Sequence, residues 1–213
     1  MILDLQPLRR ARDRLVRQVG LVERLGRERR DVAVEEQQVR QAVAALEDMD
    51  MKEQVQLIVS GGIRSGADVA KALAMGADAV AIGQGVLMAL GCNSDSYVQQ
   101  GQHLSAVADY GKLRTAPGYC HHCHTGRCPV GVTTQDPVLE QRLEPEVGAQ
   151  RVRNYLKTLN MELTMIARAC GKQDVHHLER EDLVALTIEA AAMAGVPLAG
   201  TSWIPGAESP PIR

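Results

Sequence analysis

The chain has 213 residues, with 24 Lys and Arg against 26 Asp and Glu. That length holds one hydrophobic core, and the near-neutral balance offers no global field to nucleic acid or an anionic membrane surface. Five cysteines, an odd number, argue against a secreted disulfide framework. No signal peptide opens the chain and no run approaches the ~18 apolar residues of a membrane span, so a cytoplasmic protein is expected. Phenylalanine is absent and only four Tyr and one Trp occur. The core must therefore come from Leu, Val, Ile, Ala and Met, which suits close-packed α/β layers.

Residues 1–38 are Arg-rich and contain no convincing strand; residues 1–40 carry a net charge of +3. Leu15, Val16, Val19, Val22 and Leu25 recur at helical spacing, so the segment is expected to be a solvated helix from about Leu8 to Leu25 or else disordered. Residues 39–213 read as a separate region. Val39 to Met49 predicts a helix, and Val55-Gln-Leu-Ile-Val59 a buried parallel strand. Ser60 to Gly66 is a glycine-rich turn, Ala67 to Met75 a helix, and Gly76 its stop. Ala79 to Ile82 is the next strand, Gly83-Gln84-Gly85 a second glycine turn, and Val86 to Leu90 opens another helix. Strand, loop, helix, repeated with short connections, is the grammar of a parallel α/β fold. The two strands can pair with each other, leaving one open edge apiece. Each glycine turn follows a strand and precedes a helix, where backbone N–H groups and the helix dipole favour a phosphate.

Downstream, Cys120-His-His-Cys123-His-Thr-Gly-Arg-Cys128-Pro129 places three thiols within nine residues, and Cys92 precedes them. Thiolates this crowded repel one another unless a cation sits among them. Iron–sulfur clusters and zinc both use such spacings, and a cysteine followed by proline is a habit of iron–sulfur loops. His121, His122 and His124 are available to a zinc site. Beyond the thiols, Val147 to Ala169 predicts a core-packing helix with Val152, Tyr155, Leu156, Leu159, Leu163 and Ile166 on one face. Cys170 at its end reads as a buried structural thiol. Asp182 to Leu186 and Ile188 to Ala194 predict two short helices, with Thr187 as a cap between them and Gly195 as a stop. Trp203 is a candidate plug for a hydrophobic gap.

The run Val59 to Gly83 resembles the end of an FMN-binding barrel, a pattern shared with inosine monophosphate dehydrogenase and its relatives. Its continuation is Leu90-Gly-Cys92, then Cys123-His-Thr-Gly-Arg-Cys128-Pro-Val-Gly-Val-Thr-Thr-Gln-Asp-Pro137, then Ile166 to Lys172 and Leu183 to Leu186. This resembles the FMN-binding glutamate synthase family. Val196 to Gly206 is similar to stand-alone glutamate synthase-like subunits, including those of N-methylglutamate synthase. The resemblance covers roughly Val39 to Gly206. It implies an α/β fold: the last two strand–helix units of a (β/α)8 FMN-binding barrel, an iron–sulfur loop within 91–132, and a helical tail over 147–206.

The activity implied is that of an oxidoreductase acting on CH–NH2 donors. It reduces a 2-oxoglutarate-derived imine to glutamate or an N-substituted glutamate with FMN and an iron–sulfur cluster. Ser60, Gly61, Gly62, Gly83, Gln84 and Gly85 match the FMN phosphate loops; Cys92, Cys123 and Cys128 match the cluster ligands. No catalytic residue is assigned. The implied partners are 2-oxoglutarate, glutamine-derived ammonia or an amine, and glutaminase and reductase subunits, with neither nucleic acid nor membrane; a homo-oligomer is a further expectation. Two departures stand out. About 30 residues separate Cys92 from Cys123 where the large enzymes have a short gap. Gly91 to Gly118 therefore reads as a flexible inserted loop, and Cys120 competes with Cys92 as a ligand. Three thiols suit a 3Fe-4S cluster and four a 4Fe-4S cluster. Only two strands precede the thiols, so the chain is expected to be the C-terminal part of a catalytic subunit, truncated, mis-started or completed by another chain. The competing reading is a non-catalytic fragment, or an electron-transfer or zinc-binding module that needs a partner.

Overall fold

The structure is a computed structural model describing residues 32–206, and the expected helix at Leu8–Leu25 lies outside the described residues. The element order is mixed α and β. It comprises α1 (Val32–Asp48), β1 (Ile58–Ser60), α2 (Gly66–Ala74), β2 (Ala79–Ala81), α3 (Gln84–Leu90), β3 (Ser96–Gln99), β4 (Gln102–Ser105), α4 (Val107–Lys112), α5 (Pro137–Glu140), α6 (Pro145–Ala169) and α7 (Ile188–Ala194). The described residues form two compact units, 32–81 with 162–206, and 82–161.

In the first unit β1 and β2 pair in parallel, Ile58 opposite Ala79 and Ser60 opposite Ala81. The Asp78 carboxylate accepts the Leu57 N–H at 2.6 Å and pairs with Lys52 at 3.5 Å, fixing the entry to both strands. Between the strands, α2 starts at a capping box. Ser65 accepts from the Asp68 N–H, and Asp68 accepts from the Ser65 N–H. Val69, Ala70, Ala72, Leu73 and Ala74 form its buried face. The chain turns at Gly76 with φ +102°, where a Cβ would press on Val43 at 3.0 Å. Helix α1 packs on α7 through Val39, Ala191 and Ala194, all buried. Arg40 donates to the Ala192 and Met193 carbonyls at 3.3 and 3.4 Å, satisfying the end of α7.

The parallel pair is shorter than its apolar run, and it is not buried: Ile58 is 63% exposed and Ser60, Ala79 and Ala81 are exposed. A parallel strand is buried when layers cover both faces. Among the described residues this sheet has two strands, and its outer positions meet solvent. The expected helix over Asp182–Leu186 is also absent. A 3-10 turn covers Arg180–Asp182, and Ala185 then makes a parallel bridge with Leu198. Thr187 caps α7, accepting from the Ala190 N–H, and Gly195 ends it at φ +64°. Cys170 is half-buried rather than buried, and Trp203 is 45% exposed rather than a plug.

In the second unit Gln84 and Gly85 form the first turn of α3, not a free glycine turn. The stretch 91–118 is not a flexible loop. It folds as the antiparallel hairpin β3–β4, closed by Gln100 and Gly101 at φ +51° and +75°, followed by α4. Ala106 and Tyr110 seat the insertion in a small core with Cys128 and Val130, bordered by Tyr97, Cys120 and Val132. Along α6, Leu156 and Met161 of this unit are exposed, and of its residues in the first unit Leu163 and Ala167 are buried while Met165 is exposed, so the helix is not core along its whole length. Among the described residues no helix is long and apolar enough to cross a membrane.

Candidate metal centre

Cys92 follows α3, whose end is Gly91 in the left-handed region at φ +113°. The next residue, Asn93, is also left-handed at φ +62°, a conformation asparagine tolerates better than most side chains. This aims the Asn93 amide at a segment 27 residues away. It accepts the Cys120 N–H at 2.8 Å and donates to the Cys120 carbonyl at 3.3 Å and to the Cys92 sulfur at 3.6 Å. The Gly118 N–H returns a bond to the Asn93 carbonyl at 3.2 Å. The chain thus leaves Asn93 and returns to it, so that one side chain bonds both Cys92 and Cys120.

Cys123 opens a 3-10 turn that ends on Gly126, and Cys128 precedes the fully buried Pro129. Arg142, itself only 13% exposed, holds this end. It donates to the Pro129 carbonyl at 2.7 Å and to Asp109 of α4 at 2.6 Å, and stacks over the Tyr97 ring at 4.7 Å. The Lys112 hydrogen bond at 2.7 Å chiefly, with Arg142 beside it, outweighs burial and holds the Asp109 carboxyl below its ordinary value.

The four thiols differ in exposure: Cys128 is buried, Cys92 and Cys120 half-buried, Cys123 exposed. Burial pushes the Cys92 thiol up, the charges of Cys123, Cys128 and Cys120 push it further, and the Asn93 hydrogen bond opposes them. Tyr110 is 1% exposed, and its hydroxyl has no hydrogen-bond partner among the described residues. Its pKa is pushed far up, by burial first and then by Cys120, Cys128, Cys92 and Asp95. His121, His122 and His124 form a stacked row on the outside of the loop, with ring centroids 4.7 and 6.3 Å apart. Among the described residues no three His, Cys, Asp or Glu side chains stand in metal-ligating geometry. The chemistry of the donor set nonetheless suits a thiolate-bound metal centre: four cysteines, of which Cys92 is disfavoured as a bare thiolate by burial and by the other three, beside an orphaned buried O–H.

The glycine turns lie in different units. Ser60 ends β1, and Gly61 and Gly62 follow at φ +114° and +64°. The Gly66 N–H at the start of α2 donates to Glu162 at 2.7 Å, so that helix terminus already holds a carboxylate. In the other unit, a Cβ on Gly85 would meet the Tyr155 hydroxyl at 2.5 Å, while one on Gly83 would meet nothing within 4 Å. Reading the sequence located every thiol and both turns but missed Asn93, Tyr110, Asp109 and Arg142. Only the asparagine beside Cys92 carried a local signal.

The family described as "Conserved region in glutamate synthase" matches residues 35–102 and 115–173. A glutamate synthase large subunit-like protein of Rhizobium meliloti (strain 1021) is 56% identical over 168 residues, 79% of this chain and 36% of that protein. An archaeal-type glutamate synthase [NADPH] of Dehalococcoides mccartyi is 35% identical over 159 residues, 73% of this chain and 27% of its own. The archaeal glutamate synthase [NADPH] of Methanocaldococcus jannaschii is 36% identical over 144 residues, 66% of this chain and 23% of its own. The chain therefore spans about a third or less of the length of these curated relatives, and no solved structure matches it. On the family match and these identities, the chain belongs to the glutamate synthase family.

Proposed function

We propose that this chain is the iron–sulfur and FMN-phosphate portion of a glutamate synthase-type oxidoreductase, which forms glutamate or an N-substituted glutamate from a 2-oxoglutarate-derived imine. The observation that supports this reading is the return of the chain to Asn93, whose amide bonds both Cys92 and Cys120. Cys92, Cys120, Cys123 and Cys128 hold the cluster. Four thiolates favour a four-iron centre, with Cys92, Cys123 and Cys128 alone sufficing for a three-iron one. When bound, the cluster supplies one-electron transfer and FMN supplies hydride transfer to the imine carbon.

The residues of this chain bind and orient. Asn93 restrains two of the ligands, Arg142 locks the buried Cys128–Pro129 end, and the core around Val130 keeps water from one side. The backbone N–H groups after Ser60, at Gly61 and Gly62, and those of Gly83, Gln84 and Gly85 are assigned to FMN phosphate. For Gly83 the support is that its φ of −100° needs no glycine and no described residue crowds it, so its backbone is open to close approach of a ligand. The region 39–213 is proposed as the C-terminal part of a (β/α)8 barrel with its cluster loop. Glutaminase and reductase functions sit on other chains or segments, with a reduced nicotinamide nucleotide as electron source, as the names of the archaeal-type relatives indicate for those proteins.

The test is purification without oxygen. The protein should be brown, contain iron and acid-labile sulfide, and bleach with dithionite. Cys123→Ser and Cys128→Ser should each abolish the colour, and Cys92→Ser and Cys120→Ser should each alter cluster type or content. A colourless protein with stoichiometric zinc would sink the assignment.

A further inference from the structure

Tyr110 is fully buried in the core that contains Cys128, with Cys120 at its border, and its hydroxyl has no hydrogen-bond partner among the described residues. A buried unpaired hydroxyl costs about 1–3 kcal/mol, so one that persists needs an acceptor. The core around it is Ala106, Cys128 and Val130, bordered by Tyr97, Cys120 and Val132, and none of these groups, the thiol sulfurs and the Tyr97 hydroxyl included, accepts from it among the described residues. The acceptor is then a group that these residues do not themselves supply, and a cluster sulfide beside the thiols carries the negative charge that makes a good one.

The ring is also held in place. The Tyr110 N–H donates to the Ala106 carbonyl at 3.1 Å, the Ala106 N–H to Asp95 at 2.8 Å, and Asp109 next door is clamped by Arg142 and Lys112. Tyr110 lies in the stretch between the two blocks that match the family, 35–102 and 115–173, so it belongs to the inserted segment.

We propose that the Tyr110 hydroxyl donates a hydrogen bond to a sulfide of the thiolate-held cluster and thereby sets its reduction potential. The inference rests on the cluster reading above. A donor to sulfur stabilises the reduced, more negative state, so the hydroxyl raises the potential. The role is tuning and positioning; no proton leaves the oxygen.

The test uses the full chain purified without oxygen, with iron and sulfide assayed first and the midpoint then titrated by EPR. Tyr110→Phe should keep the wild-type iron and sulfide content and show a more negative midpoint. Tyr110 replaced by a ring-fluorinated tyrosine, nearly the same size and a stronger donor, should shift the midpoint the opposite way. Should Tyr110→Phe lose its iron, the fluorinated chain alone decides. A loaded wild type whose midpoint is unmoved by the fluorinated residue overturns this inference and leaves the cluster reading standing. A wild type without iron and sulfide overturns the cluster reading, and the role of Tyr110 with it.

Discussion

Asn93 ties Cys92 to Cys120, and Arg142 ties the Pro129 carbonyl, next to Cys128, to Asp109. Asn93→Gly keeps the left-handed backbone without steric cost and deletes only the amide. Iron per chain should fall in this variant while the fold is retained by circular dichroism; unchanged iron would show that the amide does not organise the ligands. Arg142→Ala removes two short hydrogen bonds at a side chain only 13% exposed, leaving the Pro129 carbonyl unpaired. A loss of about 2 kcal/mol in urea melts is expected. The same clamp has a pH signature. The folded pKa of Asp109 lies below its ordinary 3.8. Its contribution is therefore full above about that pH and disappears as pH falls through the lower folded value. The gap in stability between wild type and Asp109→Asn should close on acidification below 3.8; a gap constant with pH would assign the effect to packing.

At the scale of elements, the loop after Cys128 and helix α2 depend on different local devices. Gly131 adopts φ +78°, and a Cβ there would lie 2.5 Å from the Leu139 carbonyl oxygen and 3.0 Å from the Leu143 nitrogen, both backbone. Neither can rotate aside, so Gly131→Ala should cost about 1–3 kcal/mol and loosen the Cys128 end of the loop. Limited proteolysis between Cys128 and Leu139 reads the loosening. Ser65→Ala breaks the capping box of α2 and should cost about 1 kcal/mol. Burial opposes ionisation of Asp68 most strongly, but hydrogen bonds from Arg64 and Ser65 together lower its pKa, so this cap too weakens below the ordinary carboxylate range.

For the molecule as a whole, the consequence of the β1–β2 pair is association. Among the described residues each strand has one neighbour in the two-stranded sheet, and Ile58 presents a large apolar side chain to solvent. Apolar strands with an unpaired edge recruit others. The purified chain should sediment as oligomers or self-associate with rising concentration, and Ile58→Lys should shift the distribution toward smaller species. A monomer with a cooperative high-temperature melt would rule this out. With two short strands of the proposed barrel in the described structure, FMN binding by the chain alone should be weak; retention of FMN through gel filtration would contradict that.

Local chemistry was enough for the elements whose signals lie within a few residues. The stops at Gly76 and Gly195 and the cap at Thr187 are governed by neighbours in sequence and were legible, and the strand–helix–strand pattern made the parallel β1–β2 pairing legible too; the capping box at Ser65 was missed. The thiols were legible for the same reason: three fall within nine residues, and crowding of that kind has few explanations. Burial was not legible, because a Val-Ile run specifies what should be covered and not what covers it; Ile58 and Trp203 are exposed accordingly. Nor was Asp182–Leu186, where pairing of Ala185 with Leu198 overrides helical preference. The insertion is the clearest case. Its polar residues look like a loop because its core is only Ala106 and Tyr110 set against Cys128 and Val130. Partners on the far side of a turn leave no periodicity in the segment itself. The link from Cys92 to Cys120 through Asn93 therefore exists only once the chain has closed on that side chain.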